Sequence, residues 1–411
     1  MFAAAESQGD RSASRTALTL FMCLVVAVLE GIDLQSTGVA APRMAHEFGL
    51  SVGQMGLAFS AGMLGLLPGA LAGGMLADRI GRKRVLLLSM LVFGLFSLAT
   101  TQVWSFPSLL VARLLTGLGL GGAMPNLIAL SAEAVEPRLR NTAVSIMYCG
   151  MPFGGAMAAL LGVLGTGETA WRNIFYAGGA GPLVIIPLLM LCLPESKMFD
   201  RQAGAAQPPL SGRPEPTLHV LFGGRRAALT LLVWISFFCT LIVLYFLMNW
   251  LPSLIVGRGL SHSQAGITQI LFNAGSIFGV LGIGVLMDRS GPARVVPGVY
   301  VVIVASLAAL SAAQGMTSLS IAVFFAGLGV VGAQGMLYSM AAACYPTTMR
   351  GTGVGAAVAV GRLGSIVGPF LAGLLLAIGK SGAIVVGASV PVTLVAAVSA
   401  LMLAKSRQRG E

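Results

Sequence analysis

Charge is what this sequence lacks most. Only 9% of its 411 residues are Asp, Glu, Lys or Arg, while 56% are hydrophobic. Soluble domains carry roughly 25% charged residues, so a water-soluble globular protein is excluded. Histidine is nearly missing, with His46, His219 and His262 only, all outside the apolar runs. The five cysteines, Cys23, Cys149, Cys192, Cys239 and Cys344, fall in or at the edge of apolar runs with no C-x-x-C spacing. That pattern offers neither a metal-ligand set nor a His/Cys/Asp catalytic constellation. No cofactor and no enzymatic activity are therefore expected. Period-two alternation is lacking as well. The apolar residues come in unbroken runs of about 20, which excludes a membrane β-barrel.

What is present is apolar length. Twelve runs are long enough to cross a bilayer, at about 17–41, 52–77, 85–103, 109–132, 141–163, 173–193, 227–250, 264–287, 295–313, 319–343, 352–379 and 383–404. The first is too long for the apolar core of a signal peptide and is kept as a membrane helix. The longest interruption, 194–226, is polar and rich in Pro and Gly. The chain thus reads as an all-α membrane protein: a six-helix half over 1–193, a cytoplasmic linker over 194–226 and a second six-helix half over 227–411. Orientation follows from the 25 Lys and Arg residues. With the N-terminus in the cytoplasm, only Arg43, Arg172, Arg258 and Lys380 fall outside. Arg113 and Arg362 lie within spans, and every other cation is inside. This bias puts both termini in the cytoplasm. The net charge of +11 then belongs to basic loops at an anionic leaflet, and nucleic acid is not an expected partner.

One offset relates the two halves. Gly74, Asp78, Arg79, Gly81 and Arg84 recur as Gly284, Asp288, Arg289, Gly291 and Arg294, each 210 residues later. The same shift relates Gly117 to Gly327, Gly122 to Gly332 and Arg140 to Arg350. Duplicated six-helix halves are an architecture of secondary transporters. The motif G-x-L-A-D-R-x-G-R-K-R after the second span, its echo after the eighth, R-x-x-x-G-x-G-x-G in span 4 (Arg113, Gly117, Gly119, Gly121) and LPES at 193–196 together resemble the major facilitator superfamily. The resemblance covers nearly the whole chain. It implies two pseudo-symmetric halves around a central cavity. It also implies a cytoplasmic gate in which Asp78, Arg79 and Arg82, with Asp288 and Arg289, pair when the inside is closed. The alternative is that these charges only set topology.

The stretch LEGIDLQ (29–35) raises the sharpest question, because it places Glu30 and Asp33 near the middle of span 1. A carboxylate there costs about 2.5–3.5 kcal/mol on insertion scales. The two are three residues apart and share one helix face. They are the only acids deep in any span and are the expected proton carriers. The alternative is a structural acid paired with an arginine. Arg113 and Arg362 complement them, since arginine grips a carboxylate in a bidentate fork. Their counterparts across the offset are Val323 and Pro152, so neither belongs to the duplicated scaffold. Arg113 and Arg362 are each open to two readings, substrate contact or a structural role in pairing with Glu30 or Asp33 or in helix packing. E-G-x-D-L-Q in span 1 with G-R-L-G-x-x-x-G-P in span 11 resembles the aromatic acid:proton symporters of the superfamily, although Glu30 stands where that branch usually has Asp. The resemblance implies import of an aromatic carboxylate with a proton, across a bacterial cytoplasmic membrane, by a monomer in the bilayer. Candidate cavity residues for such a ligand are Tyr338, Gln334, Asn249 and Trp250, with Tyr148, Tyr245, Asn126 and Gln35 as further possibilities. The competing expectation is an efflux antiporter on the same fold. Its G-x-x-x-G-P-x-x-G-G pattern is incomplete in span 5, where CGMPFGG (149–155) has no Gly-Pro pair.

Overall fold

The computed structural model describes residues 2–196, 221–223, 226–345 and 350–408. Most of the expected linker, with Lys197, Arg201, Arg213, His219 and Arg225, lies outside the described residues, as does Arg409. Among the described residues, twelve helices are long and apolar enough to cross a membrane. They are Thr16–Phe48, Val52–Ile80, Arg82–Thr100, Phe106–Ala134, Thr142–Leu164, Glu168–Cys192, Arg226–Val256, His262–Ser290, Pro292–Ala312, Met316–Cys344, Thr352–Ala377 and Gly382–Ser406. We number them spans 1 to 12. The all-helical, twelve-span architecture expected from the apolar runs is present.

The helix ends depart from the apolar windows for a physical reason. Span 1 runs on past residue 41 to Phe48, through Pro42 and Arg43. Its polar tail is spent on a neighbour. Arg43 donates to the carbonyls of Gly162 and Gly165 at 3.1 and 3.0 Å, and the Trp171 indole donates to Glu47 at 2.6 Å. Span 5 is interrupted at Cys149, one turn before Pro152, which has no N–H to donate four residues back.

Arg43 has company in this role. Arg172 donates to the Thr101 carbonyl at the end of span 3 (3.0 Å), and Arg258 donates to Leu310 and Ala313 at the end of span 9 (2.8 and 2.9 Å). Cations at helix C-termini satisfy orphan carbonyls and complement the helix dipole. Three of the four cations expected outside from the charge bias are thus helix caps.

The contacts divide the chain into two compact units. One comprises Met1–Ser36, Leu64–Ala158 and Arg172–Pro209; the other comprises Thr37–Met63, Ala159–Trp171 and Leu210–Glu411. Within the first unit, span 2 meets span 4 backbone to backbone. A β-carbon at Gly65, Gly69 or Gly121 would strike the carbonyl of Leu114, Leu118 or Leu66. Span 1 meets span 5 in the same way at Gly31 and Gly154, against the Met151 and Val28 carbonyls. Small residues that let backbones approach are the usual means of packing helices in lipid. The second unit repeats both seams. Gly275 and Gly279 on span 8 press on the Phe324 and Leu328 carbonyls of span 10, and Gly364 and Gly368 on span 11 press on the Phe238 and Ile242 carbonyls of span 7. Gly65, Gly69 and Gly154 map onto Gly275, Gly279 and Gly364 at the 210-residue offset. The duplication read from the loop motifs therefore extends to the helix seams.

The second unit also contains residues 37–48 of span 1, 52–63 of span 2 and 159–164 of span 5. There Gly56 and Gly373 approach with no room for a side chain between them, and Ser60 donates to the Ile366 carbonyl at 2.9 Å.

Candidate functional site

In the first unit, Asp33 is completely buried, and Arg113 on span 4 is nearly so. One carboxylate oxygen of Asp33 accepts from Arg113 Nη2 at 3.3 Å. The other accepts from the hydroxyl of Ser97 on span 3. The Ser97 hydroxyl also lies 3.4 Å from the Phe175 carbonyl on span 6. The Phe175 ring covers the guanidinium at 5.5 Å from its centroid, a cation–π arrangement. Spans 1, 3, 4 and 6 thus each supply one part of a buried ionic centre. Gly178 on span 6 lies beside it, with its β-position 3.5 Å from Asp33 Oδ1, an ordinary van der Waals distance. Arg113 Nη1 is buried and makes no hydrogen bond among the described residues. Glu30 is buried one turn earlier on span 1. The cost posed by LEGIDLQ is met for Asp33 by an opposite charge and a hydroxyl. Coulomb attraction offsets desolvation only where the remaining lone pairs are also satisfied.

The second unit holds the other embedded arginine. Arg362 on span 11 is half-buried, and its Nη1 donates to the Tyr245 hydroxyl on span 7 at 2.8 Å. Tyr338 on span 10 lies within electrostatic reach of both Arg362 and Tyr245. Its ring meets Phe237 edge-on at 5.2 Å. Gln334 is buried one turn earlier on span 10. Arg362, Tyr338 and Gln334 are therefore brought together, in an aromatic setting. Asn249 and Trp250 are buried but already engaged. Asn249 donates back to the Tyr245 carbonyl at 2.8 Å. The Trp250 indole donates to the Pro369 carbonyl at 2.9 Å and packs edge-on against Phe59 at 5.1 Å.

The gate candidates differ in their partners. Asp78, Arg79, Asp288 and Arg289 are exposed and make no ion pair among the described residues. Arg82 pairs with Glu133 at the end of span 4. The second oxygen of Glu133 accepts from Ser196 at 2.7 Å. Glu195 accepts from the backbone N–H groups of Lys83 and Ser196, both at 2.9 Å. LPES thus clasps the basic end of the span 2–3 loop. Sequence reasoning missed Glu133 and Ser97. Glu133 ends its span like any boundary acid, and Ser97 is one hydroxyl in an apolar run; neither position announces a partner. The buried amides Gln269 and Asn273 on span 8 were likewise passed over.

A buried acid–arginine centre and an aromatic-flanked arginine, set on twelve spans with duplicated seams, are the build of a membrane transporter. The chain belongs to the Major Facilitator Superfamily, whose model matches residues 23–369 and 234–411, and so to membrane transporters rather than enzymes. It is 49% identical over 398 residues to the 3-(3-hydroxy-phenyl)propionate transporter of Escherichia coli (strain K12), covering 97% of this chain and 96% of that protein. It is 37% identical to the gallate transporter of Pseudomonas putida, covering 88% and 86%, and 34% identical to the 4-hydroxybenzoate transporter PcaK of the same species, with the same coverage. Among solved structures, a D-xylose-proton symporter superposes with a TM-score of 0.73 at 16% identity, covering 94% of this chain and 96% of that one, a likeness of fold.

Proposed function

We propose that this protein is a proton-coupled symporter that imports an aromatic carboxylate, 3-(3-hydroxyphenyl)propionate or a related hydroxylated aromatic acid, across a bacterial cytoplasmic membrane. Its two six-helix halves, divided at the 194–226 linker, alternate access to the two sides, with both termini in the cytoplasm. Relatives that carry aromatic acids support the substrate class. The observation that carries the coupling is the buried Asp33–Arg113 pair. Protonation of Asp33 removes the charge that holds Arg113. The guanidinium, with Nη1 already lacking a partner among the described residues, then becomes available to an anion. Proton and substrate anion are in this way linked through one cation. Arg362, flanked by Tyr245 and Tyr338, is the first grip on the carboxylate, and the aromatic side chains around it suit a ring. Glu30 is the second proton carrier. Asp78, Arg79 and Arg82, with Asp288 and Arg289, form the cytoplasmic gate. Among the remaining candidates, Gln334 is the best placed to meet a ring hydroxyl, and Asn249 and Trp250 act by shaping the wall.

The test is uptake of labelled 3-(3-hydroxyphenyl)propionate by proteoliposomes under an inward proton gradient. Accumulation that collapses with a protonophore supports proton-coupled import. Accumulation only under an outward substrate arrangement would make the protein an exporter. Failure with this acid but uptake of benzoate or gallate would change the substrate and keep the mechanism.

A further inference from the structure

Hydroxyls inside membrane helices commonly turn back on their own backbone. Ser36, Thr100 and Thr116 do so here, each donating to the carbonyl four residues earlier, at 2.6, 2.8 and 2.7 Å. Ser97 does not. It is completely buried, and its hydroxyl reaches two other helices, the Asp33 carboxylate on span 1 and the Phe175 carbonyl on span 6 at 3.4 Å. A glycine contact brings it there. A β-carbon at Gly179 on span 6 would stand 2.8 Å from the Gly94 carbonyl on span 3, so the two helices close one turn away from Ser97 and Phe175.

The second copy of the repeat supplies a control. At the offset of 210, Leu307 stands where Ser97 does and Val243 where Asp33 does. Leu307 is completely buried as well. The equivalent position therefore takes an apolar side chain, and the hydroxyl accompanies the acid rather than the packing. The two protonation states of an acid give it a use. An ionised carboxylate only accepts, whereas a protonated one also donates. Arginine has donors only, so Arg113 suits the ionised form alone. A hydroxyl donates, accepts and rotates to suit. Of the two side chains bonded to the Asp33 carboxylate, Ser97 is the one that serves both states.

Resting on the symporter reading above, we propose that Ser97 is the positioning residue of the coupling acid. With Asp33 ionised, Ser97 donates to the carboxylate. When Asp33 takes a proton from the medium at Oδ1, its carboxyl donates to the Ser97 oxygen. The Ser97 hydroxyl keeps its own proton and turns to the Phe175 carbonyl. The neutral acid is thereby held in place while Arg113 is released.

The experiment compares wild type, Ser97→Ala, Ser97→Thr and Asp33→Asn as purified proteins and reads two quantities. The first is the infrared C=O band of a carboxyl group that appears on acidification; its loss in Asp33→Asn assigns it to Asp33. The second is net proton-driven uptake of 3-(3-hydroxyphenyl)propionate relative to its counterflow in proteoliposomes. Net uptake takes Asp33 through both states, whereas counterflow leaves it protonated. A hydrogen bond to a charged group corresponds to about tenfold or more, and the ionised acid loses more than the neutral one when the donor is removed. Ser97→Ala is therefore expected to move the Asp33 band to higher frequency and to lower net uptake about tenfold relative to counterflow. Ser97→Thr, which keeps the hydroxyl, is expected to restore both. An unmoved band, or net uptake and counterflow falling together, would overturn the positioning role and leave the symporter reading in place. If Ser97→Ala does not fold, Ser97→Cys, with only a weak S–H donor, is read against the same two outcomes. A wild type with no Asp33 band and no proton-driven uptake would overturn both.

Discussion

Replacing Asp33 with Asn tests the coupling at its centre. The amide keeps the shape of the carboxylate. Its oxygen can still accept from Arg113, and its NH2 can turn to Ser97, whose hydroxyl can accept. What is lost is the negative charge facing a buried guanidinium. Removing one partner of a buried ion pair costs about 3–5 kcal/mol. The hydrogen bond that Asn preserves returns about 1 kcal/mol of that, and the Phe175 ring 5.5 Å away continues to shelter the cation. A loss of about 3 kcal/mol is therefore expected, read by thermal or denaturant unfolding in detergent. The functional effect is separable. An inward gradient of about two pH units is worth about 2.7 kcal/mol per proton, or about 100-fold in concentration. Wild type is expected to accumulate the acid toward that limit, whereas Asp33→Asn equilibrates it at about onefold. Counterflow, which needs no net proton movement, shows whether the variant still binds and turns over. Uphill, protonophore-sensitive accumulation in Asp33→Asn would refute the role of this acid. The double change Asp33→Asn with Arg113→Gln removes both charges. It is expected to be more stable than either single variant, since neutral pairs in place of buried ion pairs are often tolerated.

Other expectations follow from the packing. Arg43→Gln forfeits the two bonds to the Gly162 and Gly165 carbonyls and should cost about 1–3 kcal/mol in unfolding measurements. Gly65→Leu and Gly275→Leu occupy equivalent seams and should each lower the yield of monodisperse protein, whereas Gly284→Leu, with nothing near its β-position, should be tolerated. Arg362→Lys keeps the charge but loses the planar fork, so KM for the acid should rise about tenfold in uptake assays.

Much of the architecture was legible in the sequence because lipid imposes strong rules. Twelve uninterrupted apolar runs allow no other use, and the loop echo at Asp78 and Asp288 announced the duplication. Helix ends were less legible. Arg43 and Glu47 look like loop residues until the carbonyls and the indole they engage are known. The site was half legible. Two acids in span 1 and two arginines in apolar runs are conspicuous, and the reading left open that Arg113 pairs with Asp33. Which arginine pairs with an acid and which with a phenol depends on how the helices rotate about their axes. Glycines set those rotations by deciding which backbones touch. A sequence without its fold gives the glycines but not the carbonyls opposite them.

The matched seams bear on how such a protein can change over time. Both copies of the six-helix unit kept the glycine contacts, yet they hold different chemistry. Asp33, Ser97 and Arg113 in the first copy correspond to Val243, Leu307 and Val323 in the second. Arg362 and Tyr245 in the second correspond to Pro152 and Gln35 in the first. On the proposed function, the acid that carries the proton is written in one half of the gene and the Arg362 grip on the cargo in the other, with Arg113 answering to both. Substitutions around Arg362 would then retune the cargo with Asp33 and Arg113 left untouched, so a lineage would acquire a new nutrient without reinventing its motor.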